Sequence, residues 1–197
     1  MKTYIKLLII IVFPTFFAAC ENSDYQLQKS IFIEDETNPG LPIYSEWGYN
    51  TFGAYIDRVK FISDDELLPA KITVKQDTLN IMMSGRYQGV NTTLKFSIKG
   101  YSPKNYSELT ALQGVKIDLK SSSTSVFLIQ KDVSTHLTII EGELYFKRVQ
   151  LLFVDKEQTQ SILSGVFAFK TFKDSEPIAV ANGRFDFGIG YDNFYNY

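Results

Sequence analysis

Over residues 92–99 the chain alternates strictly, with Leu94, Phe96 and Ile98 on one side and Thr93, Lys95, Ser97 and Lys99 on the other. A period of two residues fits an extended strand with one face in a core, because successive side chains of a strand point to opposite faces. The alternation returns in Ile72/Val74, Leu79/Ile81/Met83, Ile117/Leu119, Leu144/Phe146, Phe167/Phe169 and Phe185/Phe187/Ile189. Turn chemistry separates these runs at 75–78, 85–89, 121–124, 141–142 and 155–160. Such short spacings suit hairpins and leave no room for the crossovers that parallel pairing needs. The expectation is an all-β fold of roughly nine to eleven strands, a single antiparallel β-sandwich or a flattened lipocalin-like barrel.

One or two short helices interrupt it. Ser63-Asp64-Asp65-Glu66 has the form of a capping box ended by Pro69. Its adjacent carboxylates lack the alternating spacing of a calcium loop, so the cluster reads as a helix cap. Ser102-Pro103 offers a cap with Pro at the first helical position; Tyr106, Leu109 and Leu112 then share a side, and Gly114 closes the segment.

Upstream of the alternation the pattern is of another kind. Residues 1–20, MKTYIKLLIIIVFPTFFAAC, have Lys2 and Lys6 at a basic start, an apolar core and a small-residue exit, which is the plan of a secretory signal. The uncharged run is about 13 residues, short of the roughly 20 that a spanning helix needs, and Pro14 interrupts it. Phe17-Ala18-Ala19-Cys20 resembles the lipobox of bacterial lipoproteins, with Phe17 where Leu is usual. The resemblance implies that Cys20 is acylated and becomes the first residue, which accounts for a lone Cys in an exported chain.

These features divide the chain into a signal peptide over 1–19, a lipid-anchored tether over 20–49 and a β domain over 50–197. The tether segment holds an acidic Glu34-Asp35-Glu36 and a Pro39-Gly40-Leu41-Pro42 break with no sustained period; Ile31-Phe32-Ile33 has the alternative of an edge strand. Trp47 and Tyr49, near the junction, read as packing residues at the domain start.

Composition removes several function classes. One Cys and one His in 197 residues exclude a disulfide framework and leave neither a zinc site nor an iron–sulfur site to expect, and no cofactor is foreseen. A formal charge of −2 supplies no cationic excess for a phosphate backbone, so nucleic acid is not an expected partner. The sequence contains no Gly-x-Ser-x-Gly elbow, no His-Glu-x-x-His and no phosphate-binding loop. His136 reads as a structural edge residue. Asp118, Asp132, Glu141 and Glu143 are carboxylates that a glycan hydrolase would need in pairs, with no spacing to favour any pair. The aromatic tail 191–197, YDNFYNY, reads as a terminal strand tucked against the sheet, with sugar stacking as the alternative. Asp77-Thr78-Leu79 resembles the O-glycosylation pattern of exported proteins in one bacterial group, which makes Thr78 a candidate acceptor.

Two further motifs stand out: Asn50-Thr51-Phe52-Gly53, and near the C-terminus Ser164-Gly165-Val166-Phe167-Ala168-Phe169 followed by Asn182-Gly183-Arg184-Phe185-Asp186. With the lipobox, their order resembles a family of uncharacterised lipoproteins from Bacteroidetes-type bacteria; this chain differs by a longer strand region over 144–154. The resemblance implies no catalytic residue. From alternation alone, Phe185 and Phe187 face inward, and Arg184 and Asp186 stand together outside as a surface ion pair and a possible interaction surface.

The expected protein is therefore a non-enzymatic binding or structural module of the cell envelope, exported and held at the outer membrane through its lipid. Its partner would be an envelope protein or a glycan. A lipocalin-like carrier of a small hydrophobic ligand is the first alternative and a carboxylate-based glycan hydrolase the second.

Overall fold

The alternating runs form twelve strands in a computed structural model that describes residues 30–63, 68–173 and 176–197. They are β1 (Thr51–Ile56), β2 (Val59–Ser63), β3 (Ala70–Lys75), β4 (Thr78–Tyr87), β5 (Val90–Lys99), β6 (Lys116–Asp118), β7 (Thr124–Gln130), β8 (Val133–Leu137), β9 (Ile139–Val154), β10 (Glu157–Lys173), β11 (Glu176–Ile189) and β12 (Phe194–Asn196). The sheet runs β6-β9-β10-β11-β1-β2-β4-β5-β7-β8, with β3 on β4 and β12 on β3. All pairings are antiparallel except β12 with β3. The ends, β6 and β8, do not meet, so the sheet is not a closed barrel.

Instead the sheet folds over. Phe96 of β5 meets Phe167 and Phe169 of β10 edge to face at 5.4 and 6.3 Å, so the two halves form a sandwich. The space between them is occupied by fully buried rings, including Phe52, Phe61, Phe146, Phe185 and Phe187. Phe185 stacks on Phe187 at 5.5 Å and meets Phe146 at 5.9 Å. The inward facing of the last aromatic run is as the alternation requires.

Hairpin turns explain how long strands fit so few loops. Asp57-Arg58, Gln88-Gly89, Lys131-Asp132 and Asp155-Lys156 each put two successive residues at positive φ. Two-residue turns of this kind match the right-handed twist of the strands they join. Two expected turns shift: Gly85 lies inside β4, and Glu141-Gly142 lies inside β9, where Gly142 packs on the Phe169 backbone. The expected helix after Ser102-Pro103 is a 3₁₀ helix over Tyr106–Leu112, capped by Asn105 instead, whose side chain accepts from the Ser107 and Glu108 N–H groups. The other helix signal falls on residues 64–66, outside the described residues.

The tether reading needs correction for residues 30–49, which are strapped onto the outer face of β1 and β11. Leu41 is fully buried, and Glu34 bridges Pro42 so that the strap doubles back on itself. Gly53 of β1 makes room for it: a Cβ there would run into the Pro42 ring.

Close packing inside the sandwich yields a first test. An added Cβ at Gly165 would collide with the Tyr145 carbonyl and lie 2.6 Å from the Phe185 ring. Gly165→Ala should cost about 1 to 3 kcal/mol through overpacking, and Phe185→Ala about 3 to 5 kcal/mol through the cavity it leaves. Denaturant melts measure both, and an unchanged midpoint for Gly165→Ala would contradict this packing.

Candidate functional site

Asn50-Thr51-Phe52-Gly53 and Arg184-Phe185-Asp186, far apart in sequence, lie side by side. Thr51 faces Asp186, Phe52 faces Phe185 and Gly53 faces Arg184. Their inward side feeds the core, and their outward side receives the strap.

The outward side is organised by one carboxylate. Asp186 is 1% exposed. It accepts from the Ser45 hydroxyl, from the Ser164 hydroxyl at 2.8 Å, and from the backbone N–H groups of Trp47 at 3.2 Å, Gly48 at 2.9 and 3.0 Å and Tyr49 at 3.0 Å. Five donors on one anion compensate its removal from water, since buried charge persists only where it is hydrogen-bonded or paired. The Arg184/Asp186 surface pair is therefore corrected: alternation set the facing rightly, but the face is covered, and Asp186 belongs to an internal clasp.

Arg184 forms a second clasp, donating to the Asp35 carboxylate and, at 3.1 Å, to the Asn182 carbonyl. Asp35 also accepts from the Thr37 N–H and hydroxyl at 2.9 and 2.7 Å and from Asn38 Nδ2 at 2.8 Å. Those bonds, led by the Thr37 hydroxyl, hold its carboxyl well below the usual range. A depressed carboxylate stabilises above its unfolded pKa and loses that contribution as pH falls through the folded one. The contribution of this contact to the strap is therefore present at neutral pH and falls as the pH drops below the ordinary carboxylate range. Tyr55 donates to the Pro39 carbonyl at 2.8 Å, and Asn50 accepts from the Gly188 N–H at 2.8 Å.

Beside the strap the outer face is open. A groove of about 460 Å³ lies between Tyr44, Lys147 and Arg184 on its rim and Val166, Ala168 and Gly183 on its floor. A second hollow of about 390 Å³ continues it past Glu143 and Ala168 to Ala179 and Ala181. Small side chains at the centre of a sheet face leave a trough where larger ones would fill it. Tyr44 is held on the rim beneath Lys147, whose Nζ lies 4.4 Å from the ring centre, and it donates to Glu46 at 2.9 Å. Burial, with Glu46 beside it, raises the Tyr44 hydroxyl pKa far above its ordinary value, so it remains a neutral donor.

The remaining candidates disperse. Asp118 and Glu143 face each other across β6 and β9, with Glu141 two residues on, while Asp132 sits on the β7–β8 turn. Glu143 pairs with Lys116 at 3.2 Å and Glu141 with Lys170 at 2.7 Å. The Lys170 bond draws the Glu141 carboxyl below its ordinary value, the direction opposite to that of a general acid. His136 is exposed on edge strand β8, its ring 5.1 Å from Phe127. The tail forms β12 along β3, as the terminal-strand reading has it, but its end rings are not tucked against the sheet: Tyr191 and Tyr197 are exposed, Tyr197 stacked on Tyr195 at 6.2 Å. Thr78 opens β4 and is half-buried, directly after exposed Gln76 and Asp77. Trp47 is not a packing residue: its backbone is clasped by Asp186 while its ring is 75% exposed. Cys20 lies outside the described residues.

Sequence reading passes over Ser45 and Gly48, and it notes Ser164 in a motif and Asp35 in an acidic cluster without giving either a role. Ser45 and Gly48 sit in an irregular segment and meet a residue 141 and 138 positions away, so no local period marks them. Among the described residues no group of three His, Cys, Asp or Glu could hold a metal ion, and no helix is long and apolar enough to cross a membrane. Comparison with family models, curated proteins and solved structures finds no match to the chain.

The clasp makes a quantitative claim. Asp186→Ala leaves two hydroxyls and three N–H groups without their acceptor and should cost about 3 to 5 kcal/mol, where a surface pair would cost under about 1. Asp186→Asn, which keeps an acceptor oxygen, should cost less. Denaturant melts of both variants decide the point, and a loss under about 1 kcal/mol for Asp186→Ala would return it to a surface role.

Proposed function

We propose that this chain is an exported lipoprotein, acylated at Cys20 and held at the outer membrane, whose β-sandwich serves as a non-enzymatic binding or structural module of the envelope. On this reading it belongs with the Bacteroidetes-type lipoproteins it resembles. The contact surface is the trough over Ala168, Ala179 and Ala181, bounded by Tyr44, Lys147 and Arg184, and the partner is an envelope protein or a glycan. The possible interaction surface keeps Arg184, as a rim residue, and loses Asp186.

One observation carries the reading: an open, shallow trough lies on the outer face, while the interior is filled by aromatic rings. Recognition from outside suits that arrangement better than carriage of a ligand within. The carboxylates suit ion pairs better than hydrolysis, since Glu141 and Glu143 each have a lysine partner.

Two experiments test this. Cys20→Ser should move the protein from the detergent phase to the aqueous phase in cell fractionation, and unchanged partitioning would refute the anchor. A photo-crosslinking residue at Ala168 should trap one defined partner in intact cells while the same residue at Thr135 on β8 traps none. Equal labelling from both positions would remove the trough from the account.

A further inference from the structure

The β9–β10 hairpin outruns the core it starts from. Val149 and Leu163 are buried against the sandwich, but Leu151, Phe153 and Val154 beyond them are exposed, Phe153 by 56%. On the β9 arm both faces are apolar, because Leu151 and Phe153 alternate with Leu152 and Val154, while the β10 arm opposite carries the polar Glu157, Gln158 and Gln160. A core-facing strand has no reason to be apolar on two faces after it has left the core.

Other exposed apolar groups lie at this same end. Tyr191, 88% exposed, follows β11 where Gly190 packs against Thr159 and Gln160, a few residues from the tip. Trp47 emerges between Glu46, whose carbonyl accepts from Gln150 Nε2 at 2.9 Å, and Gly48, which packs on Ile162. Ile31, also exposed, donates its N–H to the Tyr49 carbonyl at 2.8 Å.

The direction of the chain gives this end its meaning. From Asp35, level with Arg184, the strap runs back to Ser30, whose hydroxyl donates to the Asn50 carbonyl at 2.6 Å. Asn50 is joined to Gly188, which pairs with Ile162 on the hairpin. The chain thus leaves the domain heading toward the hairpin tip. Ser30 stands ten positions from Cys20, a reach of at most about 35 Å.

We propose that this end of the sandwich, led by the β9–β10 tip, is seated in the headgroup layer of a lipid bilayer. The inference rests on the acylation of Cys20. The acyl group and the apolar tip then engage the same membrane, and the domain lies against it instead of swinging on a free tether. The hairpin keeps its inner ladder paired to its last residues, Val154 with Glu157, while the outer edges of both strands carry no strand partner here, so the tip suits the hydrated headgroup layer and not the hydrocarbon core. Tyr and Trp are the side chains that favour the boundary between lipid and water. Asp155, Lys156 and Glu157 at the turn carry no cationic excess, so the attraction is apolar and calls for no anionic lipid.

The test uses the acylated protein reconstituted in phosphatidylcholine vesicles. With Trp47→Phe, the chain's only tryptophan is removed, and Phe153→Trp places a sole tryptophan at the tip. Lipids brominated close to the headgroup should quench its emission at least about twofold relative to unbrominated vesicles. Protein that floats with the vesicles but is not quenched overturns the seating and leaves the anchor standing; protein that does not float overturns both. Should the double variant not fold, Trp47 of the unsubstituted chain gives the same readout, and Val154→Asp should reduce its quenching at least about twofold. Equal quenching with and without that substitution contradicts a seated tip.

Discussion

The buried carboxylate of Asp186 sets the terms for the outer half of this molecule. It projects from β11 away from the core, where a strand residue ordinarily meets water, and finds two hydroxyls and three backbone N–H groups. An anion in that position is tolerable only while those donors stay in place. The strap therefore behaves as part of the folded domain, and its loss would leave a charge stranded on an apolar sheet. Arg184 and Asp35 fasten the other end, and Pro42 lies on Gly53 between the two clasps.

This arrangement divides the sheet face. Where the strap crosses, β1 and β11 are buried on both sides; past its edge, small residues leave the open trough. It also fixes where the N-terminal segment leaves the domain, on the side toward the β9–β10 tip. A lipid on Cys20 would then hold a domain of defined orientation. A clasped strap makes residues 30–49 part of the folded domain, whereas a thirty-residue coil would let its ends sample positions roughly 30 Å apart.

Much of the sandwich is legible in the sequence because period two is a local signal. Leu79/Ile81/Met83 and Leu94/Phe96/Ile98 announce β4 and β5 without reference to any partner, and Phe185/Phe187/Ile189 announces the inward face of β11. The turns at Asp57-Arg58 and Lys131-Asp132 escape notice because they lack the glycine that usually marks such a bend. Glu141-Gly142 misleads in the opposite sense, since that glycine serves a close approach inside a strand. The clasp is illegible for a deeper reason. Alternation tells which way Asp186 points but says nothing of what lies on top of it, and the residues that cover it come from an aperiodic segment 137 to 141 positions earlier.

Amide hydrogen exchange on the folded protein tests the clasp most directly, because Trp47, Gly48 and Tyr49 lie outside any strand and owe their protection to Asp186. If the carboxylate fastens the strap, these three amides exchange as slowly as those of β11, through opening of the domain as a whole. Exchange at the rate of an unstructured loop, with β11 still protected, would show the strap to be loose and would contradict the account.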